Sequence, residues 1–474
     1  MSLTRRTLLA VAAALVVAPA AHAGGPGLVV GATEDAVRSS SLVETKAQMD
    51  LARLAGFKAV RITTIWKPGA DAVSPAETTV LRNVAAAAKL DGLTVLTTVM
   101  NFGSATTPLS AQDQSDFASY AASVVTAVPQ LTQITVGNEP NLNRYWLPQF
   151  NADGSDAAAP AYESLLAKTY DALKAASPDV EVIGGAVSPR GSDNPALSGR
   201  PTHSPTGFIT DMGAAYRASG RTTPIMDALA LHPYEDDSSV APFLGAHPKS
   251  TTIALADYGK LVALLGATFD GTGQPGSSLP IVYDEFGVES QIPSSKQDAY
   301  TGTEPATTKP VPEQTQADYY RQAIQLAFCQ PTVQGLYLFH VVDEKALAGW
   351  QSGLYYADDT PKSSLPAVRE SIDQSRRGVV ARCPGMKLAV HPTVAQRGTA
   401  LSLTCDLDCS YVAQLYRLPG KLLATRRGIA VGGRATGLRV RVPSKDARYR
   451  LRLSAVARVN PGKTALKLVP VAPG

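Results

Sequence analysis

The apolar positions of this chain fall into two unlike patterns. Over the first three quarters, short apolar runs rich in β-branched residues alternate with longer stretches whose apolar residues recur every three to four positions. The short runs predict strands over 28–31, 59–65, 93–100, 134–137, 180–186, 228–231, 280–283 and 335–340. The longer stretches predict helices over 44–55, 77–90, 112–127, 162–176, 208–217, 256–265, 314–328 and 365–373. Eight strand–helix units with apolar strands imply a parallel sheet covered by helices. Spread over 24–375, they predict a closed (β/α)8 TIM barrel of the α/β class. An open doubly wound sheet is the competitor. It usually carries a Gly-rich phosphate loop after its first strand, and Gly31-Ala32-Thr33-Glu34-Asp35 is no such loop.

Past Pro384 the helical period stops. Short alternating runs over 388–390, 400–405, 412–416, 438–442, 449–457 and 466–471 are separated by turns such as Gly432-Gly433. They predict a small all-β, immunoglobulin-like sandwich over 385–474, reached through a linker over 376–384. At the other end, Arg5-Arg6 precede the apolar run 8–17, and Ala21-His22-Ala23 fits a cleavage site. Residues 1–23 therefore read as a signal peptide. A twin-arginine signal and an ordinary secretory signal fit equally well. The mature protein is expected to be extracellular, without a transmembrane segment or a lipid anchor.

Composition adds three constraints. In 474 residues the net charge is only +4, and mean hydropathy is near zero. Those values exclude a mostly disordered chain and a multi-pass membrane protein. The charge is lopsided, however. From Arg376 onward 19 Lys and Arg stand against 3 Asp and Glu, a net +16. The remainder holds 25 against 37, a net −12. The first reading of the basic part is a solvated exterior; contact with an anionic surface or glycan is the alternative, and nucleic acid is not expected outside the cell. The four cysteines would meet an oxidising compartment, with three pairings possible. Cys329–Cys383 and Cys405–Cys409 is the favoured pairing, since the second closes a tight loop. Zinc is disfavoured by the spacing and by the lack of nearby His.

In a barrel of this type the active site lies at the C-terminal ends of the strands. Two of those ends carry carboxylates in distinctive company. The fourth strand runs into Asn138-Glu139-Pro140-Asn141, and the seventh ends Asp284-Glu285-Phe286-Gly287. Strands four and seven face each other across the mouth, and two facing carboxylates are what glycosidic cleavage requires. The paired motifs resemble the retaining glycoside hydrolases of clan A, families 5 and 39 and their relatives, over the whole of 24–375. The resemblance implies Glu139 as general acid/base and Glu285 as nucleophile. It also implies substrate-binding or supporting roles for Arg61, Asn138, His232 and Tyr234, with Asn138 on the sugar 2-hydroxyl. A plain structural role remains the alternative for each: a helix cap for the glutamates, a satisfied core His for His232, a local ion pair for Arg61.

Sugar rings have apolar faces that stack on flat aromatics. All three tryptophans, Trp66, Trp146 and Trp350, follow strands on the expected active-site side and are candidate platforms, with Tyr145 beside them. Packing beneath loops is the alternative. The resemblance departs at the eighth strand, where clan A members commonly carry Trp. Here the strand ends Leu338-Phe339-His340, so Phe339, or Trp350 reaching in from the loop, would take that place. Asp343 and Glu344 are further candidates to bind sugar hydroxyls. No metal, cofactor or nucleophile-elbow motif is present. The expectation is a secreted retaining β-glycosidase acting on a β-linked oligo- or polysaccharide, whether by hydrolysis or transglycosylation. Its rival is a noncatalytic glycan-binding or cell-surface protein on a degenerate barrel.

Overall fold

The structure is a computed structural model that describes residues 24–197, 199–380, 383, 386–440, 442 and 447–472. The expected signal segment and parts of the expected linker lie outside the described residues. Eight parallel strands close into a barrel: β1 (Val29–Thr33), β2 (Ala59–Trp66), β3 (Thr94–Asn101), β4 (Gln133–Val136), β5 (Glu181–Val187), β6 (Ala228–Leu231), β7 (Ile281–Phe286) and β8 (Val333–Phe339). Closure is made by β1 on β8, in register from Val29 opposite Gly335 to Thr33 opposite Phe339. Outside lie α1 (Leu42–Ala55), α2 (Pro75–Asp91), α3 (Ala111–Ala127), α4 (Ala158–Ala176), α5 (Pro205–Ala218), α6 (Tyr258–Phe269), α7 (Glu313–Phe328) and α8 (Leu365–Arg376). The barrel is the one read from the alternation.

Local sequence sets where the helices begin. Ser41, Ser74, Ser110 and Ser204 each accept a backbone N–H three residues on, so four helices start on a serine cap. Pro75 and Pro205 occupy the first helical turn, where a missing N–H costs nothing. Inside the barrel the floor is filled by Ala59, Leu96, Ile183, Ala186, Ala228, Ala230, Val282 and Tyr337. Gly31 is required there. A Cβ on it would come within 2.6 Å of the Tyr337 ring, which fills the space left by these small side chains.

The C-terminal region forms two antiparallel sheets. One orders β13 (Thr436–Leu438), β10 (Ala400–Thr404) and β9 (Thr393–Arg397). The other orders β12 (Lys421–Ala430), β11 (Cys409–Arg417), β14 (Tyr449–Ala457) and β15 (Ala465–Val471). Leu401, Leu403, Leu438, Ala413, Leu415, Leu451 and Leu453 form their buried core. Two strands were not foreseen, β9 and β12. The run 388–390 is no strand; Leu388 makes only an isolated bridge to Pro461. The region meets the barrel at the end of α8, where the Asp408 N–H donates to the Arg377 carbonyl at 3.0 Å. Helices of a barrel run back against the strands, so this is the floor, away from the strand ends that form the mouth. Both favoured disulfides are formed, Cys329–Cys383 and Cys405–Cys409.

Candidate active site

Four strand ends converge on one charged cluster at the mouth. Arg61 points inward from β2 and is almost wholly buried. Its guanidinium is shared three ways: Nη1 donates to Glu285 Oε1 at 2.6 Å, Nη2 to Asn138 Oδ1 at 2.9 Å, and Nε stands 3.1 Å from Asp284 Oδ2. Burial opposes its charge, but Asp284 and Glu285 outweigh that and hold its pKa above the ordinary value. The fork geometry of a guanidinium suits this; an ammonium could not hold three acceptors in one plane.

Asp284 and Glu285 are adjacent in β7, so a regular strand would turn them to opposite faces. The pairing of β7 with β8 is irregular between Tyr283 and Phe286. Such an irregularity re-aims side chains, and here both carboxylates meet Arg61. Asp284 lies deepest, fully buried, between Arg61 and His232. Burial works against its charge, yet those two cations hold its pKa below the ordinary carboxylate value. Glu285 sits above it, partly open to solvent, and accepts the Tyr234 hydroxyl on Oε2 at 3.1 Å.

His232 follows β6 and joins the cluster together. Its Nδ1 is 3.1 Å from Glu139 Oε1 and 3.3 Å from Glu285 Oε2, while Nε2 is 3.2 Å from Asp284 Oδ1. Burial alone would strip its proton, but Glu285, Asp284 and Glu139 push its pKa up to about 10. The surrounding carboxylates therefore favour the imidazolium, the form that carries a proton on both nitrogens. The two glutamate oxygens stand 3.1 and 3.3 Å from one nitrogen, so they are no farther apart than the sum of those lengths, 6.4 Å.

Glu139 is held in a sparsely populated backbone conformation, with φ of 43°, directly after Gly137 and Asn138. A non-Gly residue there costs about 1–3 kcal/mol and persists only where its surroundings enforce it. They do. The Glu139 N–H donates to Ala186 O at 2.8 Å, and buried Asn141 ties the same turn to Ser188 and His203.

Arg61, Asn138, Glu139, His232, Tyr234 and Glu285 are thus brought together. Trp350 and Phe339 join them through Tyr234. Trp350 lies 4.9 Å from the Tyr234 ring at a shallow tilt and 5.4 Å from Phe339, edge-on. The Phe339–His340 peptide bond is cis. Two other expectations are corrected. Trp66 and Trp146 are no platforms: both are wholly buried, Trp66 packed on Phe117 and bonded through Nε1 to Ala70 O, and Trp146 edge-on to Tyr162. Trp66 faces outward from β2 toward the helices, as Arg61 faces inward five residues earlier. A ring without an exposed face cannot stack on a sugar.

Asp343 does not face the cleft either; it is buried in an ion pair with Lys362 at 2.8 Å. Glu344 accepts the Trp350 N–H instead. Tyr145, not its neighbour Trp146, belongs to the site. Burial and then the nearby Glu139 charge push its hydroxyl up to about 12. Asp284 stood beside Glu285 in the sequence without a role, and only its place two residues after Val282, which faces the barrel interior, could have signalled it. Among the described residues no group of three His, Cys, Asp or Glu is arranged to hold a metal ion.

No protein-family model matches the chain, and no curated protein sequence matches it. Solved structures do. A beta-glucuronidase from Bacteroides uniformis aligns with 95% of this chain at 12% identity and a TM-score of 0.45, and the chain spans only 46% of its length. A GH5_18 protein from Streptomyces cattleya, in complex with GlcNAc, aligns with 75% of this chain and 81% of its own at 16% identity and a TM-score of 0.50. A glucosidase from Croceicoccus marinus aligns with 89% of this chain and 95% of its own at 11% identity and a TM-score of 0.50. The last two share the fold.

Proposed function

We propose that the chain is an exported retaining β-glycosidase of clan A, with Glu285 as nucleophile and Glu139 as acid/base. The observation that carries this reading is the separation of their nearest oxygens, no more than 6.4 Å. A retaining pair stands about 5–5.5 Å apart, whereas an inverting pair needs about 6.5–9.5 Å to admit a water. Glu285 attacks the anomeric carbon while Glu139 gives its proton to the departing oxygen. Water, activated by Glu139, then releases the sugar.

The surroundings divide the labour. Both oxygens of Glu285 are held by donors, Arg61 and Tyr234, which aim the carboxylate. Counting Asp284, three carboxyls face two fixed cations, Arg61 and His232. Asn138 spends its carbonyl oxygen on Arg61, which turns its amide nitrogen outward as a donor for the sugar 2-hydroxyl. Phe339, Trp350 and Tyr145 supply the aromatic walls. The leader-like segment 1–23 and the two disulfides support export.

The test is a panel of aryl β-glycosides and β-linked polysaccharides, with the anomer of the first product followed by NMR. Retention with the parent, and a loss of about 10³-fold or more in kcat in Glu285→Gln, is the expected outcome. First-formed product of inverted configuration, or full activity in Glu285→Gln, overturns it. No turnover by the parent on any member of the panel favours the noncatalytic rival.

A further inference from the structure

The connection from β8 to α8 contains a feature that the proposed chemistry does not use. Lys362 and Asp343 form an ion pair with both side chains wholly buried. The Lys362 ammonium donates to Asp343 Oδ1 at 2.8 Å, to Ser290 Oγ at 2.8 Å and to the Gln351 carbonyl at 3.0 Å. Asp343 also accepts the Gly353 N–H at 2.8 Å and the Tyr300 hydroxyl at 2.7 Å. Every proton of the ammonium is spent, and two loops, after β7 and after β8, are tied at one point. Taking two charges out of water is costly, and an apolar pair of the same size would serve stability as well or better. A buried pair of this kind is better understood through the geometry it enforces.

That geometry belongs to Trp350 and Gln351. The Trp350 N–H donates to Glu344 Oε2 at 2.8 Å, and its carbonyl accepts the Glu344 N–H at 3.0 Å. The Gln351 N–H donates to Glu289 Oε2 at 3.1 Å, and its carbonyl accepts both Lys362 and the Ser290 N–H. All four backbone polar groups of this dipeptide are therefore fixed. The Trp350 ring then rests on Tyr234, 4.9 Å between centroids, and Tyr234 is the donor to Glu285.

We propose that Lys362, through its pair with Asp343, is a positioning residue that clamps Trp350 against Tyr234 and so keeps the Tyr234 hydroxyl on Glu285. The proposal rests on the reading of Glu285 as nucleophile. It adds that the Trp350 wall of the reacting subsite is delivered by the loop after β8, which a buried ion pair locks in place.

The single change Lys362→Met would strand Asp343 and could simply unfold the loop, so the informative variant is Lys362→Met with Asp343→Leu. Expected are a thermal midpoint close to the parent, a drop in kcat of about 10- to 100-fold on aryl β-glycosides, and a much smaller change in KM. Tyr234→Phe introduced into that background should cost almost nothing further, because the contact it removes is already lost. Acrylamide quenching of tryptophan fluorescence supplies a readout independent of turnover. Trp66 and Trp146 are buried, so quenching reports Trp350; it should rise in the clamp variant and fall to the buried background in Trp350→Phe. Parental kcat in the folded clamp variant, or an effect fully additive with Tyr234→Phe, or unchanged quenching, overturns the proposal. A parent that hydrolyses nothing defeats the reading of the active site instead, and quenching alone then decides whether the clamp exists.

Discussion

Glu235 shows how far a single side chain can be set against its surroundings. It follows Tyr234, is almost wholly buried, and neither of its oxygens has a hydrogen-bond partner among the described residues. Burial, then Asp257 and Asp236, push its pKa up to about 8, against the pull of Arg190. The folded state thus holds a proton that the unfolded chain releases above about 4.5. The stability this contributes is complete below that pH and drains away as the pH climbs through about 8. Glu235→Gln should match the parent in acid and exceed it above pH 8, by on the order of 5 kcal/mol. Chemical denaturation at pH 5, 7 and 9 would show it; a difference that does not grow with pH would contradict it. Such groups are hard to read from sequence. Glu139 and Glu285 were legible because each stood in a motif at a strand end. Glu235 and Asp284 were not, because what distinguishes them is the absence or presence of partners far along the chain.

At the scale of elements, the barrel was legible because its signals are local. A period near 3.6 separates helix from strand, and the serine caps found at four helix starts are equally local. Ser110→Ala illustrates how much one such signal weighs. Ser110 accepts the Asp113 N–H at 3.0 Å on the exposed start of α3, and its loss should cost about 1 kcal/mol, read as a lower urea midpoint with an unchanged slope. The sheets at the C-terminus were less legible. In β12 Lys421-Leu422-Leu423 and Arg426-Arg427 break the two-residue alternation, because this is an edge strand with little of its surface buried. The tryptophans failed for a related reason. Sequence places Trp66 at a strand end, but which face it occupies is fixed by the pleat: with Arg61 inward, the even positions of β2 turn to the helices.

For the whole molecule, the two disulfides are unequal partners. Cys329–Cys383 closes a separation of 54 residues and ties the end of α7 to the segment leading into the β region; Cys405–Cys409 spans only 4. Loop entropy alone assigns about 4 kcal/mol to the first and about 2 to the second. Replacing Cys329 and Cys383 by Ser should therefore lower the thermal midpoint more than replacing Cys405 and Cys409, and the reverse order would show that local distortion dominates.

The barrel with its leader carries −12 and the remainder +16, and the positive part hangs beneath the floor, opposite the cleft. The two regions of the chain therefore carry net charge of opposite sign. Beside any negatively charged wall the field exerts a torque as well as a pull. Were such a wall to draw the basic region in, a cleft at the far end of the barrel would be left facing the medium.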